Sequence, residues 1–211
     1  MIYVLIYFVV LTFVILAIDV LQKRIFVSNQ WGRTSTHIIT GIIVSTFPVY
    51  LNVMQIIVLS GIFFVLLALS KTKKILSLHN IVRKSAGEVI FPVSIGIVAL
   101  ITLPADNKAY YAAILSLALA DAGANIIGTL LPLKQIKVTG QTKSLGGFLG
   151  CFIIMFVVLS AIYGLNHANF GMIVAIAIFI GFVELISVYG YDNLTVPIVT
   201  ALVCTNADKF I

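Results

Sequence analysis

Charged side chains are scarce in this sequence. Asp, Glu, Lys and Arg make up 9% of its 211 residues, where a soluble domain carries roughly 25%. That deficit excludes a water-facing surface over most of the molecule. Polar stretches longer than a loop are missing too, which excludes a separate soluble domain and leaves one membrane domain over 1–211. Cysteine is nearly absent. Cys151 and Cys204 both stand in apolar runs and match no metal-ligand spacing. They read as small core residues and not as a disulfide. No low-complexity tract, long linker or convincing repeat interrupts the chain. The first apolar run has no charged segment before it and no small-residue cleavage site after it, so it reads as a retained span and not a signal peptide.

What the chain has in abundance is apolar length: 61% of residues are hydrophobic. Apolar segments run near Ile2 to Val20, His37 to Leu51, Met54 to Ser70 and Val89 to Leu103. Four more lie near Ala109 to Leu131, Gly146 to Tyr163, Phe170 to Tyr189 and Thr195 to Cys204. Several are long enough for a ~30 Å hydrocarbon core. The second and last are short, which suits a tilted, interfacial or re-entrant segment. Helices satisfy every backbone group within the segment, and these runs lack the ten-residue alternation of a barrel. The expected fold is an all-α polytopic transmembrane helical bundle of seven to eight spans.

The net charge of +6 is unevenly placed. Alternate loops hold 11 of the 13 Lys and Arg residues, and the opposite set holds only Lys108 and Lys209. The positive-inside rule puts the rich set in the cytoplasm and both termini outside. The basic surplus is therefore topological, and no nucleic acid is expected as a partner.

Carboxylates are rarer than cations and more telling. Asp106 and Asp208 fall at the outer face, whereas Asp19, Glu88, Asp121, Glu184 and Asp192 lie in spans or at their cytoplasmic ends. A charge at the bilayer centre costs about 2.5 kcal/mol or more, so Asp121 and Glu184 are functional candidates by default. Asp121, Ala124, Asn125, Gly128 and Thr129 share one helical face. That small, polar face suits close approach of a substrate or metal, and equally a helix-packing seam. The next loop, Leu133 to Gly147, contains Lys143, Ser144, Gly146 and Gly147 just before a helix. Lysine charge, hydroxyl donors and glycine amides at a helix N-terminus suit a polyphosphate. The plainer reading is a positive-inside loop with a glycine-rich helix entry. No Walker A pattern is present.

Asp192 and Asn193 offer adjacent hard oxygens for Mg²⁺, and with Pro197 close by they also suit a turn. His37 follows Arg33 at an interface, as a proton acceptor, a phosphate contact or a structural residue. Arg83 and Lys84 precede Glu88, as nucleotide or headgroup cations or as topological anchors. Cations, carboxylates, hydroxyls and glycines thus collect on one side, which is the inventory for metal-assisted phosphoryl transfer.

Asp121-x-x-Ala124-x-x-x-Gly128, Lys143-Ser144-x-x-Gly147, Glu184 and Asp192-Asn193-x-x-x-Pro197 together resemble the phytol kinase and dolichol kinase family. Arg33-x-x-x-His37 and the stretch from Arg83 to Pro92 are similar to its upstream basic motifs, so the resemblance runs from about Arg33 to Pro197. It implies a CTP-dependent kinase for a lipid alcohol, isoprenoid or diacylglycerol; the compact chain separately suggests a bacterial or archaeal cytoplasmic membrane. The implied nucleotide site is Ala124, Asn125, Gly128, Lys143, Ser144 and Gly147 with Arg83 and Lys84. Mg²⁺ would lie near Asp121, Asp192 and Asn193, and Asp121, His37 and Glu184 are the proton-handling candidates. Two positions depart from the family pattern: Pro132 stands where a second glycine is common, and Phe148 replaces a hydroxyl after Gly147. The Asp-Arg signature of CDP-diacylglycerol synthases is not evident, which makes cytidylyl transfer the runner-up chemistry. A small ion-coupled transporter is the rival outside enzymes, and a homodimer is compatible with all of these readings.

Overall fold

The computed structural model describes residues 1–25, 29–73, 75–76, 86–103 and 105–207, with the side chains of 25, 29–31, 33 and 207 outside that description. The described chain is helical apart from one hairpin. Helix α1 spans Ile2–Ile25, α2 Asn29–Ser45, the single turn α3 Phe47–Tyr50, α4 Val53–Thr72 and α5 Gly87–Thr102. Helix α6 (Asn107–Leu115) passes through a π-helical turn, Ser116–Ala120, into α7 (Asp121–Leu130). After the hairpin of β1 (Gln135–Val138) and β2 (Gln141–Ser144) come α8 (Leu145–Tyr163), α9 (Phe170–Ile186) and α10 (Asp192–Ala207).

Among the described residues, four helical stretches are long and apolar enough to cross a membrane: Ile2–Arg24, Val53–Thr72, Asn107–Leu130 and Leu145–Tyr163. Gly87–Thr102 and Phe170–Ile186 are apolar but shorter. Large apolar side chains such as Leu5, Phe13, Phe64, Leu66 and Phe182 point outward. A soluble bundle hides such residues, whereas one solvated by lipid has no reason to.

Polar residues set where the helices start. Asn52 accepts from the Gln55 amide and Gln55 returns the bond, which makes a capping box for α4. Asp106 accepts from the amides of Lys108 and Ala109 to open α6, and Ser144 opens α8. Two starts differ from the apolar runs. Helix α2 begins at Asn29, eight residues before His37, because its polar first turns are helical although they are not hydrophobic. Helix α10 begins at Asp192, so Asp192 and Asn193 form its first turn and not a connecting loop.

The expected loop before α8 is also ordered more than its composition suggests. Its strands pair antiparallel, with Gln135 opposite Ser144 and Val138 opposite Gln141. Thr139 and Gly140 both take positive φ, 43° and 83°, the signature of the two-residue type I′ turn that matches strand twist.

Two apolar cores hold the bundle. One joins α1, α2, α4, α5 and α6 around Val44, Phe47, Ile56, Leu59 and Ile114. The other lies beneath α8, α9 and α10 around Met155, Leu159, Ile173 and Ile180, and includes the buried thiols of Cys151 and Cys204. Helices α7 and α8 meet through glycine. A Cβ on Gly128 would stand 3.1 Å from Ser144 Oγ and 3.2 Å from Gly147 Cα, and one on Gly147 would stand 3.3 Å from the Ala124 carbonyl.

Candidate active site

The ends of α7, α9 and α10 and the hairpin converge at one end of the bundle, and Lys143 is where they meet. Its position on β2 turns the ammonium toward α9. There Nζ donates to Glu184 Oε1 at 2.5 Å and to the Glu184 carbonyl at 3.1 Å. Asp192 Oδ2, in the first turn of α10, lies 3.6 Å away. All three side chains are mostly buried, at 13%, 5% and 12% exposure, so water screens these charges poorly. Burial alone pushes the Lys143 ammonium down. The carboxylates of Glu184 and Asp192, the hydrogen bond to Glu184 and the more distant Asp121 outweigh it, and the pKa stands above the ordinary 10.5.

Asp121 belongs to the same electrostatic neighbourhood, since it bears on both Lys143 and the Cys151 thiol below. Asn125 fixes it from the next turn: Asn125 Nδ2 donates to the Asp121 carbonyl at 2.9 Å and to Oδ1 at 3.1 Å. The π-helical turn ends immediately before Asp121. One extra residue in a turn shifts everything after it by about 100° around the axis, and such turns recur at functional sites.

Tyr189 ties these pieces together, and nothing in the residue pattern announced it. Its Oη donates to the Thr139 carbonyl at 3.0 Å and its amide to Gln141 Oε1 at 3.3 Å, so it grips the hairpin turn. Its own carbonyl accepts from the Ala86 amide at 3.0 Å, which joins the start of α5. Tyr189 and Gly190 both have positive φ, 58° and 87°. For a tyrosine that conformation costs roughly 1–2 kcal/mol, and the three bonds offset it. The available signal was Gly190 beside an aromatic residue between two apolar runs.

The other carboxylates on this end also have lysine partners. Lys23 Nζ donates to Asp19 Oδ2 at 2.6 Å, and Lys71 Nζ to Glu88 Oε1 at 3.0 Å. His37 lies apart from Lys143, buried and edge-on to Phe91 at 4.7 Å between ring centroids. Its height can be read from α2. Tyr110 Oη donates to the Val44 carbonyl at 3.2 Å, and a Cβ on Gly41 would run into Ala118. The two elements are therefore antiparallel, and continuing that register by four residues brings His37 level with Asp121 and Ala122.

The small-residue face of α7 meets the start of α8 at Ala124 and Gly128. Ala124, Gly128 and Gly147 are in mutual contact. Gly147 N–H donates to Ser144 Oγ at 3.1 Å, so Ser144 and Gly147 together open α8. Arg83 and Lys84 lie outside the described residues, as does the side chain of Arg33.

Asp121, Glu184 and Asp192 against Lys143 leave a formal charge of −2, which a divalent cation would neutralise. Among the described residues no three His, Cys, Asp or Glu side chains are grouped to hold a metal unaided. Mg²⁺ does not require that, because it binds through one or two carboxylates together with water and substrate phosphates. Asn193 supplies the fitting observation. It is fully buried, and neither its Oδ1 nor its Nδ2 has a hydrogen-bond partner among the described residues. Leaving such a group unsatisfied costs about 1–3 kcal/mol, and a carbonyl oxygen beside Asp192 is a hard donor. No family model, curated protein or solved structure matches this chain.

Proposed function

We propose that this protein is a CTP-dependent kinase that phosphorylates a lipid alcohol at the cytoplasmic face of a cell membrane. The observation that carries the reading is the junction of Lys143, Glu184 and Asp192 from three separate elements, with Asp121 in electrostatic reach. A packing interface has no use for two buried carboxylates on one lysine beside an unsatisfied amide. The ordered resemblance from Arg33 to Pro197 points the same way. The topology that accompanies this reading has seven to eight spans, with the lysine-rich loops inside and both termini outside.

In this mechanism the nucleotide phosphates lie over Lys143, which exchanges one of its Glu184 or Asp192 contacts for a phosphate oxygen. Asp192 and Asn193 would hold Mg²⁺, which supplies charge neutralisation on the phosphates. Asp121, held by Asn125, accepts the proton of the lipid hydroxyl as its oxygen bonds to the γ-phosphorus. The bond from that phosphorus to the β–γ bridging oxygen breaks, and CDP leaves. The pairing of Glu184 with Lys143 keeps the ammonium charged and aimed while the site is empty.

The deciding experiment incubates purified protein and Mg²⁺ with γ-labelled CTP or ATP and a panel of fatty, isoprenoid and diacylglycerol alcohols. Label is expected in a lipid monophosphate, with CDP as co-product. Release of pyrophosphate with label retained in it would reassign the chemistry to cytidylyl transfer. Absence of labelled lipid with every nucleotide and alcohol would end the kinase reading.

A further inference from the structure

A cleft lies between α1, α2, α4 and α5, apart from the Lys143 junction. Its walls are apolar, contributed by Leu11, Val44, Leu59, Phe63, Phe91 and Ile95. Polar groups are unequally distributed along it. Thr36, His37, Thr40 and Glu88 line one end, which is the end nearest the Lys71–Glu88 ion pair and the Ala86–Tyr189 bond. Both threonine hydroxyls donate to carbonyls one turn back, Thr36 to Gly32 and Thr40 to Thr36. Their remaining lone pairs are acceptors. From Leu67 to Leu59 the wall on α4 covers eight residues, roughly 12 Å at 1.5 Å per residue. At the deep end stands Ser60, whose buried Oγ has no hydrogen-bond partner among the described residues.

We infer that this cleft is the chamber for the chain of a lipid alcohol, with the hydroxyl held at the end lined by Thr36, His37, Thr40 and Glu88. The inference rests on the kinase reading for the fate of that hydroxyl but not for its binding. Water is a poor occupant, because a buried water needs two to four polar partners and the deep end offers only Ser60 among Val44, Phe47, Leu59 and Phe63. An organic chain fills such a space at a gain of about 0.8 kcal/mol per buried CH₂. The threonine hydroxyls at the polar end keep lone pairs that can accept from an alcohol hydroxyl. Position agrees as well: His37 is level with Asp121 along the shared register of α2 and α7, so the hydroxyl end faces the depth at which phosphoryl transfer is proposed.

The test uses purified full-length protein in nanodiscs without nucleotide, and a long-chain primary alcohol carrying a diazirine near its chain end. After irradiation the labelled positions are mapped by mass spectrometry. Labelling is expected at Val44, Leu59, Ser60 and Phe63, competed at least tenfold by unlabelled alcohol and little by the alkane of equal length. Leu59→Trp and Ser60→Leu, which fill the deep end, should each reduce it about tenfold, while the outward Leu66→Trp should not. Labelling confined to lipid-facing positions such as Phe64 and Leu66 overturns the proposal, as does equal competition by alkane or by phospholipid. The wild-type map decides even where a filling variant fails to fold. Specific labelling without phosphoryl transfer in the nucleotide assay removes the kinase reading and leaves the chamber. Transfer with labelling elsewhere does the reverse.

Discussion

Lys143 shows how a single side chain is both a structural and a chemical commitment. Taking a lysine and a glutamate out of water is expensive, and their attraction repays it only while both are present. Lys143→Met leaves Glu184 as an uncompensated buried charge, and a loss of about 3–5 kcal/mol is expected. Lys143→Met combined with Glu184→Leu should recover much of that loss. Thermal unfolding in detergent measures both, and a double variant no more stable than the single one would mean that the pair is not the unit. The pH dependence follows from the raised pKa. A lysine whose folded pKa exceeds its unfolded value adds stability that is full below about 10.5 and declines as pH rises through the folded value. Wild type should therefore lose unfolding temperature above that pH more steeply than the double variant. Asp121 makes the complementary case. Asp121→Asn keeps the shape and a group that can bond Asn125, so expression and unfolding temperature should stay near wild type while phosphoryl transfer falls at least a hundredfold, the lower end of general-base contributions. Near-normal turnover would take the proton-accepting role away from it.

Among the elements, α7 and α8 depend on missing side chains. A Cβ at Gly150 would collide with the Gly123 carbonyl, a backbone atom that cannot rotate away. Gly150→Ala should separate the two helices and destabilise the protein by about 1–3 kcal/mol, the range for overpacking. Gly61 in α4 has nothing within 4 Å of its absent Cβ. Gly61→Ala should therefore be neutral or stabilise by about 0.5–1 kcal/mol, because only the backbone entropy of glycine is removed. Equal unfolding temperatures for the two alanine variants would contradict this packing. The seam also explains why its residues gave an ambiguous sequence signal. Ala124, Gly128 and Gly147 have the composition of a ligand cradle and of a tight helix crossing, and small residues alone do not distinguish the two.

At the scale of the molecule, the proposed orientation can be tested through the two cysteines, which are both buried. Wild type should be silent to an impermeant maleimide, which leaves room for reporters. Thr139→Cys, on the exposed hairpin turn, should label only in inside-out vesicles. His167→Cys, in the exposed turn before α9, should label in intact cells. The opposite pattern would invert the topology and move the Lys143 junction to the outer face.

Composition and periodicity were sufficient to determine that this is a membrane protein built of helices. Lipid imposes that choice on any apolar run, whatever its neighbours, so no tertiary information is needed. The same logic singled out Asp121 and Glu184, because a carboxylate among apolar residues is costly wherever the helices lie. Helix limits were less legible. The polar start of α2 and the first turn of α10 are helical through capping and packing, which hydrophobicity does not register. The Thr139-Gly140 turn and the π-helical turn before Asp121 escaped for a related reason: both are local backbone geometries that a hydrophobic pattern does not encode. Only the tertiary structure decided that Lys143 meets Glu184 and Asp192, that Tyr189 joins three segments, and that a cleft lies beside His37. Each of these is an agreement between residues far apart in the chain, and distance in space is what a linear pattern does not carry.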